Sequence, residues 1–168
     1  TSYIKRKKIE IERDVDELTQ IYNRNGLKIK INKLLEDKNI AQYALIFIDL
    51  DDLKQVNDVY GHYCGDLYLK QMTNVLKTIS GEKCLVGRLG GDEFIAFFHH
   101  YDSMEKLNND INQLNEIRDQ IVLLADDHSV NLAFSYGVCY GTEGTDLQRM
   151  IEIADYKMYE NKRKRKGR

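Results

Sequence analysis

The residues of this sequence best suited to chemistry are a strand-end group of aspartates and a pair of acids behind two glycines. Asp49, Asp51 and Asp52 stand where the apolar run of residues 44–48 ends, and Asp92 and Glu93 directly follow Gly90 and Gly91. A run such as Ala44, Leu45, Ile46, Phe47 and Ile48 marks a central strand buried on both faces. Carboxylates at the end of such a strand are costly to bury unless something pairs with them, and a divalent cation is the usual partner. Hard oxygen ligands that leave room for water and phosphate oxygens suit Mg²⁺, which serves phosphoryl transfer by bridging substrate oxygens. If the glycine turn lies beside the strand, Asp49 and Asp92 can share one metal. Two adjacent acids at a turn are equally the mark of a solvated loop, and Asp92 and Glu93 alone leave both readings open.

The elements that must position these groups follow from hydrophobic periodicity. Leu85, Val86 and Leu89 before the glycines, and Phe94, Ile95, Ala96, Phe97 and Phe98 after them, suit a pleated surface, so residues 85–98 read as a tight hairpin. Gly90 and Gly91 can take positive φ there. A strand is expected over 42–49, then a short polar helix or turn over 52–58, and a helix over 66–80 with Leu69, Met72, Leu76 and Ile79 inward and Gly81 as its stop. An earlier helix spans 24–37, with Leu27, Ile31, Leu34 and Leu35 facing in. Met104, Leu107, Ile111, Leu114, Ile117, Ile121 and Leu124 draw one long helical stripe. Residues 130–138 alternate as a strand, and Leu147, Met150, Ile151, Ala154 and Met158 define the last helix. His99 and His100, as neighbours on a strand, are expected on opposite faces, which argues against a shared metal.

This order gives a split βαββαβ arrangement of the ferredoxin-like kind: an α/β (α+β) fold with a central, mainly antiparallel sheet flanked by helices. At the front, Ile4, Lys8, Ile11, Val15 and Leu18 follow alternating spacings of four and three, the seam of a linker helix that could zip to its own copy. A helix lying on its own domain, or fraying, is the other reading, because two heptads are marginal in isolation.

With these elements placed, the motifs resemble the GGDEF domain of diguanylate cyclases. The resemblance rests on Asp49-Leu50-Asp51, Lys54, Asn57-Asp58, Tyr60-Gly61-His62, Gly65-Asp66 and Arg88-Leu89-Gly90-Gly91-Asp92-Glu93-Phe94. It continues in Asp16-Glu17-Leu18-Thr19 with Asn23-Arg24 at the front and in Ala154-Asp155, Tyr159 and Lys162 at the end. It implies a palm-like fold and the joining of two GTP molecules into cyclic di-GMP with release of two pyrophosphates. Each domain of a homodimer would hold one GTP, and the 3′-hydroxyl of one would attack the α-phosphate of the other. Asp49, the Leu50 backbone carbonyl and Asp92 would hold Mg²⁺, or Mn²⁺ in its place. Asp92 and its rival Glu93 would take the attacking proton, and Lys54 and Lys162 would neutralise phosphate oxygens. Asn57 and Asp66, with His62 close by, would read guanine; taken alone, each of these three is more often a capping or turn residue.

The sequence also departs from the family. Gln20 stands where most members have glycine, a change expected to alter the bend of the linker more than the chemistry. Gly81 and Cys84 stand where many relatives carry the Arg and Asp of a product-inhibition site. At the end, an ungapped register places Arg165 in a glycine position and Lys166 in a phosphate-binding arginine position; a two-residue insertion would instead let Gly167 and Arg168 restore the pattern. Two other classes compete with the cyclase: a degenerate domain that binds GTP or a cyclic dinucleotide without turnover, and an inert dimerisation module.

A chain of 168 residues fits one core, divided here into a linker helix over 1–15 and a catalytic domain over 16–168. The net charge of −2 points to no nucleic-acid partner. Its basic end, residues 161–168, reads as a solvated tail or, second, a weak phosphate or membrane patch. Cys64, Cys84 and Cys139 lack paired spacing and read as reduced cytoplasmic thiols. No apolar run of about 18 residues exists, so the chain is expected to be soluble. A start at Thr1 suggests a fragment of a longer protein, one with an upstream sensory domain and room for a membrane anchor.

Overall fold

The computed structural model describes residues 1–79, 81–144 and 146–167. Its core is a four-stranded antiparallel sheet in the order β2-β3-β1-β6, formed by β1 (Gln42–Leu50), β2 (Cys84–Gly90), β3 (Glu93–Tyr101) and β6 (Phe134–Tyr140). This is the expected ferredoxin-like plan. β1 is central, with β3 on one side and β6 on the other, which is why its residues 44–48 are apolar without interruption. Ala44, Ile46 and Ile48 face one core layer, and Leu45 and Phe47 face the second.

Helices cover both layers. On the first lie α3 (Leu53–Tyr60), α4 (His62–Lys77) and α5 (Met104–Ile117), and on the second α2 (Arg24–Leu35) and α6 (Leu147–Lys166). α2 starts where the Asn23 side chain accepts from the Gly26 N–H at 2.9 Å, and α6 where Asp146 caps Arg149 in the same way. The expected helix over 66–80 is α4, which begins four residues earlier and ends at Lys77, while Ser80 lies outside the described residues. Gly81, with φ +53, opens a 3₁₀ turn rather than ending that helix. No helix among the described residues is long and apolar enough to cross a membrane.

Five expectations are corrected. The stripe from Met104 to Leu124 is not one helix: α5 ends at Ile117, and Ile121–Leu123 is a strand, β4, paired with β5 (Ser129–Asn131). Asp126 and Asp127 both take positive φ, as a two-residue hairpin turn requires. The strand expected over 130–138 is consequently split. Its first part pairs with β4, its second with β1, and between them Tyr68 Oη accepts the Ala133 N–H at 3.1 Å.

The linker seam is shorter than its spacing suggested. α1 (Ser2–Asp14) stops before Val15, which is extended and bridges to Tyr22, while Leu18 packs on the core; α1 itself buries no residue. His99 and His100 are in contact rather than on opposite faces. A positive φ of 60° at His100, beside a register shift, swings its ring so that the two Nδ1 atoms lie 2.7 Å apart. The basic end is helical through Lys166 and docks on the sheet, where Asn161 donates to the Tyr136 carbonyl at 2.8 Å.

Gln20 adopts φ +62, the conformation glycine would take, and its side chain donates to the Glu17 carbonyl at 2.6 Å. A positive φ at a non-glycine residue carries a local backbone cost that a glycine would avoid.

Candidate active site

The site forms at the end of the central strands. In the β1–β3 register Asp49 pairs with Glu93, and on the other side with Ser135 of β6. The glycine turn is fastened to the strand end: the Leu50 N–H donates to the Asp92 carbonyl at 3.0 Å, and the Asp51 N–H donates to the Ala133 carbonyl at 3.0 Å. Gly90 and Gly91 have φ of +146° and +50°, values that only glycine adopts freely. Arg88 supports the turn from behind. Its guanidinium donates to the Gly91 carbonyl at 3.0 and 2.8 Å and lies 3.3 Å from the Asp16 carboxylate. Two hydrogen bonds from Thr19 to Asp16, with the Arg88 charge, hold that carboxyl below its ordinary value although burial opposes it.

The electrostatics at the strand end are those of a site short of positive charge. Asp49 Oδ2 lies 2.6 Å from Lys162 Nζ, while Asp49 Oδ1 is buried with no hydrogen-bond partner. Burial and the neighbouring Asp92 lift the Asp49 carboxyl above its usual value despite Lys162. Burial, then Asp49, Asp92 and Asp155, lift Glu93 likewise. Lys162 is held above its ordinary value by Asp49 and Asp51, against the effect of burial. A buried carboxylate oxygen without a partner beside a second carboxylate is what a divalent cation resolves. Among the described residues no three His, Cys, Asp or Glu side chains are grouped to hold a metal. The fit is therefore to an ion that keeps one or two carboxylates and takes its remaining ligands from backbone, water and phosphate, as Mg²⁺ does.

The structure thus brings together Asp49, Asp92, Glu93 and Lys162, and keeps Leu50 at the same strand end. It also sets Asn57 against Gly65, the residue before Asp66. α3 and α4 meet at Gly61, and a Cβ on Gly65 would lie 1.7 Å from Asn57 Oδ1, so only glycine leaves room for that amide. Lys54, His62, Asp66 and Lys166 are exposed. Among the described residues no hydrogen bond or ion pair joins these four to the carboxylates, and Arg168 lies outside the described residues.

Sequence reasoning assigned no role to Arg165, and the structure shows what it does. One turn beyond Lys162, it donates to the Phe134 carbonyl at 2.5 Å and lies 3.9 Å from Asp51 and 3.5 Å from Asp119. Asp51 also accepts from Ser135 Oγ at 3.1 Å and lies 3.6 Å from Lys162. The signal was present in the spacing of three between the two cations, which puts both on one helix face.

Fold and site together define a palm-type domain with acidic strand ends facing a lysine. The family model described as "Diguanylate cyclase, GGDEF domain" matches residues 13–168. The chain belongs to this GGDEF family. It is 30% identical over 151 residues to the diguanylate cyclase DgcN of Escherichia coli K12, covering 89% of this chain and 37% of that protein. It is 33% identical over 156 residues to the diguanylate cyclase DgcP of the same organism, covering 88% and 44%. The chain thus spans less than half the length of these curated relatives. Among solved structures, the isolated GGDEF domain of TpbB (YfiN) from Pseudomonas aeruginosa superposes with a TM-score of 0.82 at 29% identity, covering 89% of each chain.

Proposed function

We propose that residues 16–168, behind a linker helix of residues 1–15, condense two GTP molecules into cyclic di-GMP in a face-to-face homodimer. The observation that carries this reading is the partnerless buried oxygen of Asp49, set against Asp92 and Glu93 with Lys162 on the other oxygen. Mg²⁺, or Mn²⁺ in its place, held by Asp49, the Leu50 carbonyl and Asp92 would neutralise triphosphate charge and polarise the α-phosphate.

The chain's own residues supply the rest. Lys162, anchored on α6, presents the cation that phosphate oxygens meet, with Lys54 and Lys166 as its exposed helpers. Glu93, whose carboxyl holds a proton more readily than an ordinary glutamate, and Asp92 are placed to accept the proton of the attacking 3′-hydroxyl. Asn57 offers donor and acceptor, and Asp66 accepts only, a combination that fits the guanine edge, with His62 one turn before Asp66. An upstream sensory domain would act through α1.

Incubating the domain with GTP and Mg²⁺ and separating the nucleotides tests the reading. Cyclic di-GMP and pyrophosphate are expected, and GTP recovered intact at protein concentrations that permit dimerisation would overturn it. In the same assay ATP is expected to give no product.

A further inference from the structure

α2 and α6 cover the sheet as two separate ridges, and between them, above β3, the fold leaves a cavity of about 390 Å³. Its floor and walls are apolar: Leu27 and Ile31 of α2, Leu89 and Ile95 of the sheet, Leu147 and Ile151 of α6. Arg24 and Lys28 stand on its rim, both exposed and one turn apart, and border a second cavity of about 580 Å³ that also takes in Arg88. The rim's charge is not balanced. α2 carries Arg24, Lys28, Lys30 and Lys33 and no acidic residue. The one acid lining the first cavity, Asp146, is engaged in capping α6 at 2.8 Å, and the one acid lining the second, Asp16, is engaged with Thr19 and Arg88. Arg24 and Lys28 form no ion pair among the described residues.

A cavity of this size lies within the range of small-molecule sites, about 300–1,000 Å³, and two cations at its mouth, without an ion pair among the described residues, select the sign of what enters. We propose that the α2–α6 cavity is a binding site for a small amphipathic anion, an aryl or acyl body bearing one sulfonate, carboxylate or phosphate group. The body lies on Ile31, Ile95 and Ile151, and the anion meets Arg24 and Lys28. Such a ligand would touch Leu89, the residue before Gly90, and so the hairpin that carries Asp92 and Glu93. The site does not depend on the cyclase reading.

The test uses 1-anilinonaphthalene-8-sulfonate, followed by its fluorescence, against the folded domain. Saturable binding to one site is expected. Lys28→Glu, an exposed substitution that does not touch the core, should weaken it roughly tenfold. Ile151→Trp, which fills the cavity from α6, should weaken it at least as much. The uncharged analogue N-phenyl-1-naphthylamine should bind less tightly and be insensitive to Lys28→Glu. Absence of saturable binding, wild-type affinity in Lys28→Glu, or equal affinity for the uncharged analogue would each overturn the proposal, and these outcomes stand even if Ile151→Trp fails to fold.

Discussion

Among the described residues, the two buried side-chain atoms without a hydrogen-bond partner are Asp49 Oδ1 and His99 Nε2. They lie at opposite ends of the same strand pair: Asp49 opposite Glu93 at the start of β3, His99 near the end of β3. At the first end the cluster is ionic, with Asp49, Asp92 and Glu93 against Lys162, and burial together with the neighbouring acids raises two carboxyls. At the second end the cluster is two imidazoles and one half-exposed carboxylate, Asp37. His100 Nε2 lies 2.7 Å from Asp37, the Nδ1 atoms of His99 and His100 lie 2.7 Å apart, and His99 stacks on Phe97 with its Nε2 buried. An unsatisfied carboxylate oxygen among acids asks for a cation. An unsatisfied imidazole nitrogen among rings asks only to stay neutral. The same kind of defect therefore marks the proposed catalytic end of the sheet and a packing detail at the other.

The largest expected effect breaks the comparison at its ionic end. Asp92→Asn or Asp49→Asn should lower cyclic di-GMP formation by about 10²–10³-fold or more, whereas His99→Phe should leave the initial rate within about twofold. Comparable losses in all three, measured on folded protein, would erase the distinction between the two ends.

Next in size is the support of the glycine turn. Removing Arg88 leaves the half-buried Asp16 carboxylate without its cation and the Gly91 carbonyl without its donor. Arg88→Ala should destabilise the domain by about 2 kcal/mol in chemical denaturation. A double-mutant cycle with Asp16→Asn should return a coupling of about 1 kcal/mol, and strict additivity of the two losses would show that the contact does no more than share a surface.

The histidine end makes a prediction about pH. Burial, then the neighbouring His100, holds the His99 imidazole below its ordinary value, so the folded state binds a proton less readily than the unfolded chain. The resulting stability is complete above about 6.5, the ordinary imidazole value. It is lost as pH falls from there and saturates below the lowered folded value. Thermal midpoints recorded across this window should decline less steeply in His99→Phe than in the parent; an unaltered slope would assign the acid sensitivity elsewhere.

The smallest effect is expected at Asp37, whose contact with His100 is largely solvated, with side chains 40% and 34% exposed. Asp37→Ala should cost less than about 1 kcal/mol and leave turnover unchanged.

How much of this was legible before folding differs residue by residue. The strand expected over 42–49, the glycine hairpin and the acids at the strand end could be read because they depend on local pattern. A run without polar interruption belongs in a sheet centre, glycines make the turn, and the acids follow at fixed offsets. The hairpin at β4–β5 was hidden because Ile121 and Leu124 continue a helical spacing by coincidence, and because Asp126 and Asp127 are weaker signals of a positive-φ turn than Asn-Gly. The contact between His99 and His100 was hidden by one backbone angle, which no side-chain pattern encodes.

By itself, then, the sequence determined the class of sheet and the strand end at which the acids gather, since short-range periodicity and turn chemistry are properties of neighbouring residues. Tertiary structure alone decided that Asp49 keeps one oxygen without a partner, that Arg165 rather than Lys166 reaches the strand end, and that α2 and α6 leave a cavity between them. Those outcomes depend on which groups from distant segments compete for the same few ångströms of space and charge, and that competition exists only once the chain has closed.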